Sequence, residues 1–368
     1  MGFTSWHPLW RIFLITFAIV LYLSNHLTGL NGLIKLVGFF FALPHISWQI
    51  SKVIRNWCQL TFVSPINKAV LITGCDSGFG QMAAKALDTY GFHVFAGCLQ
   101  PKGLGAQKLY KTTSNRLRIL SLDITREDDI DAAIKEIEES DLTLWAVINN
   151  AGIVDYGAIE WDNNANRIRK VMDVNLFGAI RVISACLPLI RRSKGRIVNV
   201  SSVFGRFTLK GLTPYCMSKH ALKSYTDGLR RELTDFGVKV VCIEPLCYKT
   251  DMTKEERMEE DLNACWKTTS DEVKSFYSEQ YKTELQESLA SHFKLARSEL
   301  KEVSEAIEEA VTASSPLEFY RCTGPVDGLI VWLCEQFNDQ CLDLIMRASN
   351  LKMLVKAVNF FSPKQKVI

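Results

Sequence analysis

The stretch "PYCMSKHALKSY", residues 214–225, sets a phenol and an ammonium four positions apart, at Tyr215 and Lys219. On a helix that spacing brings both side chains onto one face, with Cβ atoms about 5–6 Å apart. A phenol is a poor base at neutral pH because its reference pKa is about 10. A nearby ammonium favours the phenolate and brings the group into range for proton transfer. Thirteen positions before the phenol stands Ser202, which closes the strand-like run "RIVNV" at Ser201 and Ser202. A Tyr-x-x-x-Lys pair alone is common on exposed helix faces, so its weight depends on the elements around it.

Those elements alternate between strand and helix. Lys68–Thr73 ("KAVLIT") reads as a short apolar strand, "GCDSGFG" (Gly74 to Gly80) as a glycine-rich turn, and Gln81–Tyr90 as a helix. A strand feeding such a turn into a helix N-terminus is a layout that binds a dinucleotide. Gly74 permits the tight turn, Gly78 lets the backbone approach a pyrophosphate, and Gly80 lets the helix pack closely on the strand. A second strand, His93–Cys98, ends at Cys98 and Leu99, where an acid would bind the ribose hydroxyls of NAD and an Arg the extra phosphate of NADP. Neither is there and only Lys102 is near, so the local chemistry leaves the choice open. A third strand, Arg118–Leu122, leads into Asp123 and Ile124, and a fourth, Leu144–Ile148, ends in "NNAG", Asn149 to Gly152. A strand ending in amides and a glycine suits the carboxyl edge of a parallel sheet, where ligands bind. With Arg196–Val200 and Lys239–Ile243 as further strands, the expected fold is α/β, a doubly wound parallel sheet of the Rossmann type.

Taken together the motifs resemble the short-chain dehydrogenase/reductase family: "TGCDSGFG" (Thr73–Gly80), "NNAG", Asn175 in "DVNLFG", Ser202 in "VNVSS" and "YCMSK" (Tyr215–Lys219), over about residues 66 to 250. The resemblance implies an oxidoreductase. Tyr215 would be the general acid/base and Ser202 would hold the substrate oxygen. Lys219 would lower the phenol pKa and bind the nicotinamide ribose, and Asn175 would position a water in the proton relay. The cofactor would lie against Thr73, Gly74, Ser77, Gly78, Phe79 and Gly80, past Cys98 and Leu99, with Asp123 beside the adenine and Ile124 next to it. Asn150, Ala151 and Gly152 would line its cleft. Pro245 and Thr250 would stand at the nicotinamide end. The family usually has Pro-Gly before that Thr, whereas here the run is "EPLCYKT", with Leu246 in place of the glycine. A side chain there could tighten the pocket or force another turn. Within the family the chain resembles the branch of type 2 17β-hydroxysteroid dehydrogenase, D-3-hydroxybutyrate dehydrogenase and the retinol dehydrogenases. That branch implies NAD, with NADP not excluded, and family members often form a homodimer.

The N-terminal residues differ from the rest. From Met1 to Lys68 there is no Asp or Glu, and Trp10–Leu27 and Leu30–Ile50 are mostly apolar. A spanning helix needs roughly 20 such residues. Trp6, Trp10 and Trp48 would lie near the interfaces, and Arg11, Lys52 and Arg55 satisfy a positive-inside bias for a two-helix hairpin with both ends cytosolic. Residues 1–60 are therefore expected to be a membrane anchor, and 65–368 a catalytic domain. Its helical C-terminal extension, from about 253 to 368, would face substrate and membrane. The final "KQKVI" resembles the dilysine signal of endoplasmic-reticulum proteins, with a mitochondrial membrane as the alternative.

Composition excludes other classes. A net charge of +3 on 368 residues gives no footprint for nucleic acid. Eleven cysteines without paired spacing or His clusters argue against a disulfide framework or a metal site. The expected substrate is a lipophilic secondary alcohol or ketone, steroids ahead of retinoids, with a short hydroxy acid or a non-catalytic nucleotide-binding role as alternatives.

Overall fold

The computed structural model describes residues 61–161, 164–336 and 340–343, together with 15, 46, 47, 50, 51 and 54. Apart from Ile15, Ile46, Ser47 and Ile50, the proposed anchor runs lie outside the described residues, as does the "KQKVI" end. The chain divides into two compact units, Met1–Ser64 with Thr312–Pro316, and Pro65–Val311 with Leu317–Ile368. The second carries the site.

Its centre is a seven-stranded sheet, β1 (Lys68–Thr73), β2 (His93–Cys98), β3 (Leu117–Ser121), β4 (Thr143–Asn149), β5 (Arg196–Val200), β6 (Lys239–Pro245) and β7 (Phe319–Cys322), in the order β3-β2-β1-β4-β5-β6-β7. Every pairing is parallel. From β1 the chain winds outward to β3, then returns to β4 on the other side. That reversal opens a crevice beyond the carboxyl ends of β1 and β4, where such sheets bind ligands. Ile72 of β1 is opposite Ala96 of β2 and Ile148 of β4, so the strand ends are nearly flush around it. Ala69 to Ile72 are each at most 1% exposed, which explains a continuous apolar run where a one-sided sheet would alternate.

Helices cover both faces. On one side Ile130 and Ile137 of α3 (Glu127–Glu138) and Val182, Ile183 and Ile190 of α5 (Ala179–Ser193) pack on Leu71, Phe95, Val147 and Ile197. The helical run Asn166–Ser193 is the one stretch among the described residues long and apolar enough to cross a membrane, but its α5 part lies in this core. It comprises α4 (Asn166–Met172), a π-helical turn at Asp173–Gly178, and α5. On the other side lie α1 (Gly78–Tyr90) and α2 (Leu104–Thr112).

The charged segment after Thr253 is helical as expected, forming α7 (Glu255–Thr268), α8 (Asp271–Phe276), α9 (Glu279–Lys294) and α10 (Lys301–Thr312). It builds a core of its own, in which Met258, Leu262, Trp266, Leu285 and Leu289 close on Trp161, Leu212 and Cys216. Trp161 and Trp266 meet edge-on at 4.8 Å. Leu329–Phe337 falls largely within α11 (Gly324–Gln336).

Under the carboxyl end of β6, Glu244 is fully buried. Arg206 donates to its Oε1 at 3.0 and 2.6 Å, and Arg321 lies 3.5 Å from Oε2. Glu335 of α11 joins both arginines, 2.7 Å from Arg321 and 3.5 Å from Arg206. Two guanidinium groups and two carboxylates thus tie α11 and the turn after Ser202 to the strand that leads into the site.

Candidate active site

The glycine turn is fixed by its neighbours. Gly74 and Gly78 have φ of +71° and +59°, a region that side chains rarely tolerate. A Cβ on Gly80 would lie 2.3 Å from the Gly74 carbonyl oxygen and 2.4 Å from Asn150 Nδ2. Thr73 Oγ1 accepts from the N–H groups of Asn150 and Ala151 at 3.1 and 3.0 Å, while Asn150 Nδ2 donates to the carbonyls of Thr73 and Gly74 at 3.0 Å each. The "NNAG" turn and the glycine turn are therefore one bonded unit across the β1–β4 reversal. Helix α1 begins at Gly78, three residues earlier than the pattern predicts, with Ser77 as its N-cap residue.

A cavity of about 1060 Å³ runs along this edge. At one end it is bounded by Gly74, Ser77, Gly78 and Phe79, with Leu99, Asp123 and Ile124 further out; Cys98 is buried beneath and does not line it. At the other end it meets Ser202, Tyr215 and Lys219, with Asn150, Ala151 and Gly152 between and Pro245 and Thr250 beside them. Thr73 and Gly80 support the turn from behind. Asn175 is also buried behind the lining: its Oδ1 lies 3.2 Å from where a Cβ on Gly152 would be.

Tyr215 and Lys219 sit in the first turns of α6 (Thr213–Leu233), where Pro214 occupies an early position that needs no N–H. Lys219 is 4% exposed, and its Nζ donates to the Val200 carbonyl at 2.9 Å, at the end of β5. Ser201 Oγ donates to the Lys219 carbonyl at 3.0 Å. Ser202 Oγ accepts from Phe204 N at 3.1 Å and donates to the Pro245 carbonyl at 3.3 Å, so β5, β6 and α6 converge on it.

These surroundings bear on two of the expected roles. The Tyr215 phenol is raised above its ordinary value, not lowered: burial disfavours the phenolate, and the hydrogen bond with Ser202 opposes it only in part. Lys219 Nζ lies 5.6 Å from the ring centroid and is tied to a backbone carbonyl, and burial pushes the ammonium itself down to about 8. The Asn175 side chain is held by protein groups. Its Oδ1 accepts from Ile153 N at 2.7 Å, while Nδ2 donates to the Ile153 carbonyl and to Ser218 Oγ, both at 2.9 Å. Ser218 in turn donates to the Tyr215 carbonyl at 2.7 Å. The π turn thereby aims Asn175 as a brace between the β4 loop and the helix of Tyr215, and such turns often mark functional segments.

Leu246 causes no distortion. The non-glycine residues with positive φ among the described residues are Asn67, Asp141, Ala165 and Lys194, so no glycine-only geometry is needed at 246. Its N–H donates to the Cys322 carbonyl at 3.0 Å, extending the β6–β7 pairing, and its side chain lines the cavity.

Several site residues escaped the sequence reading. Val154, Tyr156, Phe204, Leu212, Met252 and Phe293 give the cavity an apolar wall beside Tyr215. Tyr156 donates to the Met252 carbonyl at 2.7 Å and meets Phe293 edge-on at 5.7 Å. The segment after Pro245 crosses the glycine turn, with Tyr248 edge-on to Phe79 at 5.5 Å. There Lys254, 2.6 Å away, and then the Ser77 hydroxyl hold Asp251 below the usual carboxylate value. None of the ten described cysteines forms a disulfide with another described residue.

A glycine cradle closed to any side chain at Gly80, opening on a long cavity with a serine, phenol and ammonium at its far end, defines a dinucleotide-dependent oxidoreductase site of the short-chain dehydrogenase type. The family model described as short chain dehydrogenase matches residues 68–261. The chain belongs to that family. It is 41% identical to retinol dehydrogenase 7 of Rattus norvegicus over 276 residues, covering 74% of this chain and 85% of that one. It is 39% identical to human 17-beta-hydroxysteroid dehydrogenase type 6, covering 69% and 80%. Among solved structures, a short chain dehydrogenase/reductase from Burkholderia phymatum in complex with NAD superposes with TM-score 0.60 at 20% identity, covering 73% of this chain and 93% of that one.

Proposed function

We propose that the protein interconverts a secondary alcohol and a ketone on a lipophilic substrate, a steroid or retinoid, with NAD as the preferred cofactor, while anchored in a membrane by its N-terminal residues. The observation that carries this reading is the placement of Ser202 and Tyr215 at one end of a cavity whose other end is the glycine turn. A dinucleotide held in the glycine turn would supply the acceptor for a hydride from the carbinol carbon in the oxidising direction. The protein does the rest. Ser202 and Tyr215 hold the substrate oxygen, the phenolate of Tyr215 takes its proton, and Lys219 fixes the ribose side. In reduction Tyr215 returns the proton. The apolar wall excludes water and favours a substrate that partitions into lipid, which suits an anchored enzyme of the endoplasmic reticulum.

A short hydroxy acid is the second reading, and Arg257, which lines the cavity, is the basic group it would use. The test is turnover by microsomes carrying the full chain, with hydroxysteroids, retinol and 3-hydroxybutyrate and either nicotinamide. Tyr215→Phe should lower kcat by roughly 10²–10⁴-fold, while leaving NADH binding in place. Unchanged turnover in that variant removes the mechanism.

A further inference from the structure

Asp76, in the middle of the glycine turn, reaches away from it. Its carboxylate accepts from Leu99 N at 2.9 Å and Gln100 N at 2.8 Å, the two N–H groups just past the end of β2. There an acid ordinarily meets the ribose hydroxyls of NAD and a cation the extra phosphate of NADP. Position 99 is leucine, so the sequence shows no acid at the strand end; the fold brings one there from 23 residues earlier. The backbone of Asp76 is pinned as well. A Cβ on Gly105 would lie 1.8 Å from the Asp76 carbonyl oxygen, and Gln81 Nε2 bridges that oxygen at 3.3 Å and the Gly105 carbonyl at 2.9 Å. Held at both ends, the carboxylate cannot turn aside for a second anion. Leu99, Gln100, Gly103 and Leu104, which line this end of the cavity with it, carry no cation.

The geometry points to Asp76 as the residue that sets dinucleotide preference, an inference that rests on the cavity being a nicotinamide-dinucleotide site. Its charge repels a 2′-phosphate, and it consumes the two N–H donors that would otherwise receive one. A ribose bearing free hydroxyls meets an acceptor.

Dissociation constants for NADH and NADPH, read on the purified full-length chain by energy transfer from protein fluorescence, test this. The unaltered chain should prefer NADH. In Asp76→Asn, which keeps one acceptor and removes the charge, the ratio of the NADPH to the NADH constant should fall by roughly tenfold or more, chiefly through tighter NADPH. A second measurement needs no variant. Raising ionic strength from 0.1 to 1 M shortens the screening length from about 10 to about 3 Å, so the same ratio should narrow in the unaltered chain. Tight NADH binding with a ratio unmoved by both treatments overturns the role of Asp76 alone. Failure of the unaltered chain to bind either dinucleotide overturns the reading of the cavity beneath it.

Discussion

Lys219 Nζ lies 5.6 Å from the centre of the Tyr215 ring and spends a hydrogen bond on the Val200 carbonyl at 2.9 Å. The pair is thus a half-buried phenol beside a buried ammonium, each displaced toward its neutral form. In the oxidising direction, where the phenol must lose its proton, kcat/KM should rise with pH across the neutral range. In the reducing direction it should stay flat there, because the phenol already carries the proton. Parallel pH profiles in the two directions, on one substrate pair, check this.

The ammonium also predicts a stability effect with a definite sign. Its folded value of about 8 lies below the unfolded value of 10.5. Between those limits the unfolded chain binds the extra proton, so the Lys219 contribution to stability increases as pH rises through that window. Buried thiols such as Cys98, raised by desolvation to about 12, pull the other way. The quantity to measure is therefore the difference in urea midpoint between the unaltered chain and Lys219→Met. It should shift in favour of the unaltered chain from pH 8 to pH 10.

Two glycines should respond oppositely to the same substitution. Gly80→Ala drives a methyl into the Gly74 carbonyl and Asn150, and it should weaken NADH binding by roughly a hundredfold or more with loss of stability. Gly228, inside α6, has nothing within 4 Å of an added Cβ. Gly228→Ala should stabilise by about 0.5–1 kcal/mol and leave activity alone. Denaturation midpoints and NADH titrations on both variants decide it.

Asn175→Ala strands the N–H and the carbonyl of Ile153 together with Ser218, at about 1–3 kcal/mol for each group left unpaired. Because those bonds brace the helix of Tyr215, turnover should fall along with the urea midpoint, whereas a residue serving only a water relay would lower turnover with stability intact.

Glu244→Gln removes one of the two carboxylates that balance Arg206 and Arg321, the one at a fully buried position. Breaking one side of a buried ion cluster costs about 3–5 kcal/mol, and equilibrium unfolding should register a loss of that size.

Much of this was legible in the residues. The bounds of β1, β2 and β5 follow from short apolar runs ended by glycine or polar residues, and the cavity brings together Ser202, Tyr215 and Lys219 as the motifs imply. What the chain order hid is non-local. Phe319–Cys322 has no apolar run and becomes a strand only by pairing with β6. Asp76 reads as a turn residue until β2 arrives beside it. The protonation of Tyr215 turns on burial beneath the C-terminal helices, and no spacing of four residues encodes that.

Leu246 N donates to the Cys322 carbonyl at 3.0 Å, which fastens the segment after Pro245 to the outer strand β7, and Lys249 N donates to the Arg297 carbonyl at 2.9 Å, which fastens it to the loop after α9. That part of the cavity's rim is thus tied down at two points. Exchanging the side chains at 246, 247 or 293, one at a time, would reshape the cavity wall while leaving these backbone ties in place.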